Sequence, residues 1–261
     1  MPDDVSLRTS DHYGTELRSL WDLWTHWNCL VGGLQEAVVA PPDSPMAHTA
    51  CDAADYFQAA IYNALIGHYR LAYTSLRGVV ENTTLGMQFE LAGDKVAFQS
   101  WLAGDEFNFG WAADHATRNI VVSQLEGSLK AATGDDLYRQ RRFPVDDGGL
   151  ARRLFRQLSK FAHGAPGYND ADIWKSTGPI FVPAALESWM ECFLTVYALA
   201  VLQSRLAQQR LDKLPWGSNR SARQLFDRVV QMLPENTDAR RLFDSVPQGS
   251  WEPRAVESPA N

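Results

Sequence analysis

Apolar residues recur along most of this chain every three or four positions, the spacing that lines one face of an α-helix. Leu17, Leu20, Trp21, Trp24, Trp27, Leu30, Val31 and Leu34 place a first helix over about 11–40, and Pro41-Pro42-Asp43-Ser44-Pro45 breaks it. A second stretch, about 49–91, carries Ala53, Phe57, Ile61, Leu65, His68, Ala72, Leu76, Val79 and Thr83 on one face. Gly67 and Gly78 within it mark a break or a close approach of helices. A short helix follows over 94–102 with Asp94 as its N-cap, then another over about 105–130 that stops near Thr133-Gly134-Asp135. A loop with Pro144, Gly148 and Gly149 leads into a helix ending at His163, closed by Gly164-Ala165-Pro166-Gly167. Beyond a polar loop, helices are expected over 183–211 and 221–233. With no strand alternation and no repeat, the fold class is all-α: an irregular bundle of about six to eight helices. It forms a single domain over 1–246, and a tail over 247–261, rich in Pro and Ser, is expected to be disordered.

The segment 150–163 has the sharpest division of apolar from polar. At about 100° per residue, Leu150, Leu154, Phe155, Leu158, Phe161 and Ala162 form one broad apolar face. Arg152, Arg156, Ser159 and His163 fall in a narrow polar stripe opposite it. Arg156 and His163 are two turns apart, about 10 Å along the axis. A fixed cation and a titratable imidazole on one stripe can grip a phosphodiester and move its protons. The plainer reading stands beside it: a histidine in a last helical turn suits the dipole and can bond the terminal carbonyls.

Charge changes this picture in one respect. The 261 residues hold 24 Lys and Arg against 31 Asp and Glu, a formal charge of −7, which disfavours a general nucleic-acid coat. Yet Arg139, Arg141, Arg142, Arg152, Arg153, Arg156 and Lys160 are offset between 139 and 160 only by Asp146 and Asp147. That segment suits local contact with a polyanion, or a solvated helix face beside a charged loop. Three scattered cysteines do not make a disulfide scaffold. The start Met1-Pro2-Asp3-Asp4 lacks the basic and apolar regions of a signal peptide. The apolar run 189–202 contains Glu191 and Thr195 and is short for a bilayer, so it reads as a buried helix. A cytoplasmic protein without membrane contact is expected.

The Arg156-x6-His163 spacing near the end of a helix, in an otherwise helical chain, resembles the HEPN superfamily, whose motif is Arg, four to six residues, then His. The run Phe155-Arg156-Gln157-Leu158-Ser159-Lys160-Phe161-Ala162-His163-Gly164 is similar to the variant with Leu-Ser shortly before the histidine. Ser75-Leu76-Arg77-Gly78-Val79-Val80-Glu81-Asn82 is similar to the preceding helix, where an Arg or Glu faces the same cleft, which makes Arg77 and Glu81 candidate supporting residues. The resemblance covers a core of about 49–211 behind the Trp-rich first helix. It implies metal-independent RNA cleavage, without cofactor, at a site shared by two copies in a homodimer. Arg156 would neutralise the scissile phosphate, and His163 would act as general base or acid. Ser159, Arg152 and Arg153 would contact the phosphate or the RNA, with tRNA among the candidate substrates. The family also implies a toxin or antiviral-defence setting. One departure matters: many active members carry Asn, Asp or His directly after the arginine, whereas Gln157 stands here. A catalytically inactive helical module that binds a regulatory protein or nucleotide partner therefore remains the alternative.

Other patterns carry less. His26-x2-Cys29 and His48-x2-Cys51 supply four side chains of zinc-ligating type, but both cysteines lie in apolar surroundings that suit buried thiols. His68 lies on an apolar face and reads as a core histidine, and Asp114-His115 is a weak acid–base pair because neighbours on a helix diverge. Trp21, Trp24 and Trp27 read as core or dimer contact rather than a base-stacking platform. No phosphate-binding Gly-Lys loop, nucleophile elbow, zinc-protease His pair or dinucleotide-binding glycine motif occurs, which disfavours ATP-driven, elbow-hydrolase, zincin and nucleotide-redox chemistry.

Overall fold

The computed structural model describes residues 2–37, 44–142, 147–163, 178–208 and 237–245. These form nine helices: α1 Pro2–Ala37, α2 Pro45–Leu65, α3 Tyr69–Ala92, α4 Lys95–Leu102, α5 Phe109–Ala116, α6 Ile120–Thr133, α7 Leu150–Ala162, α8 Pro183–Gln208 and α9 Asp238–Ser245. The all-α class is thus established. The first helix starts earlier than its apolar pattern and kinks at Tyr13 (φ −131°, ψ 22°), which leaves the helical region. The expected helix over 105–130 is two helices, because Asn108 and Asn119 each cap a new N-terminus with their side chains. Most of the loop after His163, the helix over 221–233 and the tail over 247–261 lie outside the described residues.

Helix α3 is the hub: it packs against α2, α8, α7 and α5, while α1 lies on α2 and α9 on α8. The pattern of apolar residues explains why. Leu76, Val79, Val80, Met87 and Leu91 of α3 are buried against Phe57 and Ile61 of α2 and against Phe193, Val196 and Leu199 of α8 in one continuous core. Trp27, Phe57, Phe193 and Tyr197 meet there with ring centroids 5.3–6.5 Å apart. Although α8 is long and apolar enough to cross a membrane (mean hydropathy 1.4), 67% of that stretch is buried inside the bundle.

Two glycines allow close backbone contacts. Gly67 holds φ +78° between α2 and α3, and a Cβ there would stand 2.3 Å from the Ile180 carbonyl oxygen. At Gly86 a Cβ would meet Thr49 Oγ1 at 1.8 Å, so α2 and α3 cross in contact at this point. The buried polar groups nearby satisfy one another. Thr83 Oγ1 donates to Gln203 Oε1 at 2.6 Å, and Gln203 Nε2 donates to Thr84 Oγ1 and to the Tyr138 hydroxyl at 2.7 Å each. This network ties α3 and α8 to the segment that precedes α7, and so places α7.

A second, smaller core joins the end of α3 to α4 and α5. Phe89 sits among Phe98, Trp101, Phe107 and Trp111 at 5.4–5.9 Å. It fixes the position of α5, whose far end faces α7.

Candidate functional site

Helix α7 carries the sequence's candidate chemistry, and its surroundings decide what each side chain can do. Leu150, Leu154, Leu158 and Phe161 are buried, and Tyr73 of α3 stacks on Phe161 at 4.2 Å. Phe155 is half-buried between two partners: Phe109 of α5 stacks on it at 4.1 Å, and the Arg77 guanidinium lies 4.8 Å from its ring centroid. Helix α3 therefore crosses one border of the expected polar stripe.

That crossing brings Arg77 and Glu81 onto α7. Arg77 Nε donates to Ser159 Oγ at 3.2 Å, and Arg77 Nη1 pairs with Glu81 at 3.2 Å. Ser159 in turn donates to the Phe155 carbonyl at 2.7 Å. Two turns further back on α3, Arg70 Nε donates to the Phe161 carbonyl at 2.9 Å, satisfying an orphan acceptor in the last turn of α7. Nothing local in the sequence marks Arg70, because its partner is 91 residues away.

The stripe itself is not uniformly open. Arg152 is turned inward, with its side chain 16% exposed; Nη2 pairs with Asp114 Oδ1 and Nε donates to the Tyr138 carbonyl. Burial pushes the Asp114 carboxyl up, but hydrogen bonds from Gln140 and Arg152 and the charge of Arg152 outweigh it and hold the group below the usual range. Arg153 grips Asp135 through two nitrogens and donates to the Gly148 carbonyl at 2.6 Å. Both arginines thus anchor α7 to the chain around it. A polar cleft of about 410 Å³ beside Asp114 holds three acids and three bases, which gives it no net preference for either sign.

Arg156 and His163 remain at the outer edge. Arg156 Nη1 meets Asp147 Oδ1 at 3.2 Å and Nη2 donates to the Asp147 carbonyl, so a carboxylate occupies the arginine. Asp147 is itself 67% exposed and also lies 3.6 Å from Arg141. His163 is the first residue past α7; its N–H bonds the Ser159 carbonyl at 3.0 Å and its ring is exposed. The helical register of Arg156 therefore continues to His163.

The two His-Cys pairs are not gathered. His26 is buried and shares a hydrogen bond with the Tyr197 hydroxyl, His48 packs on Phe98 at 5.8 Å, and Cys29 is exposed. Among the described residues no group of three His, Cys, Asp or Glu could hold a metal ion. Of the tryptophans, Trp27 is core, Trp24 is half-buried, and Trp21 is 43% exposed. The chain matches no family model, no curated protein and no solved structure, so its chemistry rests on its own residues.

Proposed function

We propose that this protein is an RNA endonuclease of the HEPN type, in which Arg156 binds the scissile phosphate and His163 transfers protons. The observation that carries the reading is the exposed imidazole of His163 on the last register position of α7, two turns beyond Arg156 on the same side. Cations from α3 flank that end of the helix: Arg70 at the Phe161 carbonyl and Arg77 at Ser159. In the reaction the ribose 2′-oxygen attacks phosphorus as the P–O5′ bond breaks, giving a 2′,3′-cyclic phosphate and a 5′-hydroxyl. The 2′ proton leaves to a base and the 5′-oxygen gains a proton, roles that an imidazole fills in either direction. Arg156 neutralises charge developing on the non-bridging oxygens. A homodimer that faces two α7 helices would double the cationic edge. Arg152 and Arg153 serve as anchors of α7 in this reading, and a phosphate reaching Arg156 displaces the exposed carboxylate of Asp147.

That last contact favours a second reading, a helical binding module without catalysis, in which Asp147 holds Arg156 permanently. One experiment separates them. Wild type and His163→Ala are incubated with a tRNA and total-RNA pool in EDTA, and fragment ends are analysed. Cleavage by wild type alone, with cyclic-phosphate ends, is the expected outcome; RNA left intact by wild type, or cut equally by both, rejects the nuclease reading.

A further inference from the structure

A cavity of about 1020 Å³ lies away from α7, between the first half of α1 and the last half of α2. The two helices run in opposite directions there. Trp24 Nε1 donates to the Ala54 carbonyl at 2.9 Å and Trp27 Nε1 to the Ala50 carbonyl at 3.0 Å, so moving forward on α1 means moving back on α2. The tryptophans clamp one end of the pair, and the groove opens at the other. It runs from Ser10 to Trp21 on α1 and from Asp55 to Leu65 on α2, about 15 Å or three helical turns. An antiparallel pair with an open groove of that length is the seat a third helix takes in a bundle.

Its walls specify the chemistry of such a helix. Trp21 and Tyr62 border it at 43% and 61% exposure, large rings with an apolar body and a polar tip. Asp11, Glu16 and Asp55 line it against one arginine, Arg18, and none of the three carboxylates has an ion-pair partner among the described residues. The negative potential extends one turn back on α2: burial and, after the opposing effect of His48, repulsion from Asp55 raise the carboxyl of Asp52. Aromatic rings beside unneutralised carboxylates attract Lys and Arg side chains by both charge and cation–π contact.

We propose that the α1/α2 groove is a docking site for a basic amphipathic helix of a partner protein, with an apolar stripe on Trp21 and Tyr62 and Lys or Arg opposite Asp11, Glu16 and Asp55. Recognition follows the helix-in-groove mode, in which apolar anchors recur along three turns and flanking charge sets register. It is independent of any activity at α7.

The test is a display selection of helical peptides of random flanking charge against the full chain, followed by affinity measurement on the enriched peptides. The expected peptides are net positive, and they lose at least about tenfold in affinity on Trp21→Ala and on Glu16→Lys/Asp55→Lys. Circular dichroism and unfolding curves verify that these variants fold. Enriched peptides that are neutral or acidic, that bind the variants as tightly as wild type, or a failure to enrich any peptide would overturn the proposal. So would self-association of the wild-type chain that buries Trp21, since the groove would then belong to a second copy.

Discussion

The α7 edge and the α1/α2 groove differ in how their charges are used. At α7, Arg77, Arg152, Arg153 and Arg156 all meet carboxylates: Glu81, Asp114, Asp135 and Asp147 in turn. In the groove, Asp11, Glu16 and Asp55 meet no cation among the described residues. The most basic stretch of the sequence is therefore largely neutralised in the fold, while a face of ordinary acidic composition keeps its potential. Density of charge in a sequence is a poor guide to where charge is available to a partner.

Acid is the strongest perturbation of this contrast, and it acts first through a buried group on α1, between the two clamping tryptophans. Burial, and secondarily the charge of Arg205, pull the imidazole of His26 from 6.5 down to about 4. Above pH 6.5 neither folded nor unfolded chain holds that proton, and its contribution to stability is complete. Between 6.5 and about 4 only the unfolded chain takes it up, so stability falls as pH falls; below about 4 the loss is complete, roughly 3 kcal/mol. Urea unfolding from pH 7 to 4 reads this slope, and His26→Gln is expected to flatten it. An unchanged slope in that variant would place the acid sensitivity in the α7 carboxylates instead, since Asp114 is also lost from its pair as pH falls through its lowered pKa.

Next in size is the anchoring of α7. Arg152→Ala takes the donor from the Tyr138 carbonyl and leaves the half-exposed Asp114 with Gln140 alone, at a cost of about 2 kcal/mol. Arg153→Ala removes a pair whose arginine is more exposed and costs about 1 kcal/mol. Equal and negligible losses in denaturant midpoints would mean that these arginines are open to ligands after all, and the contrast between the two regions would fail.

These anchors also show what could be read from the chain beforehand. Helices α2, α3, α7 and α8 were legible because their buried residues keep the three-and-four spacing over several turns, and α4 because Asp94 caps its N-terminus. The break between α5 and α6 was not, since Thr117-Arg118-Asn119 interrupts the apolar pattern too briefly, although Asn119 is a good N-cap. Of the described side chains of α9, Ala239 and Leu242 enter the core, too little periodicity to stand out. At the site, the i,i+4 pair Arg77–Glu81 could be read locally. The partners of Arg152 and Ser159 could not, because they lie 38 and 82 residues away and only the packing of α5 and α3 brings them near. The groove escaped notice for the same reason: Trp21 shares its helical stripe with Trp24 and Trp27, and only the tertiary arrangement tells which ring is left outside.

Asp147→Asn tests an exposed pair at the edge of the proposed phosphate site. The Arg156–Asp147 pair sits at the surface, so its loss changes stability by about 0.5 kcal/mol or less. Its effect on RNA should be larger, because the arginine is released: affinity for a tRNA pool is expected to rise several-fold, about 1 kcal/mol. Unchanged affinity, with Arg156→Ala equally without effect, would remove Arg156 from the phosphate site.

The smallest effect is expected in the groove. Glu16→Lys and Asp55→Lys remove charges that pair with nothing in the described fold, so unfolding midpoints should move by no more than about 0.5 kcal/mol, in the stabilising direction if at all. Two carboxylates that meet no cation among the described residues add repulsion to the folded chain, and the substitutions relieve it. If the two substitutions instead destabilise the chain by more than about 1 kcal/mol, the carboxylates have partners within the protein. The groove would then resemble α7, and the reason to look there for a basic helix would be gone.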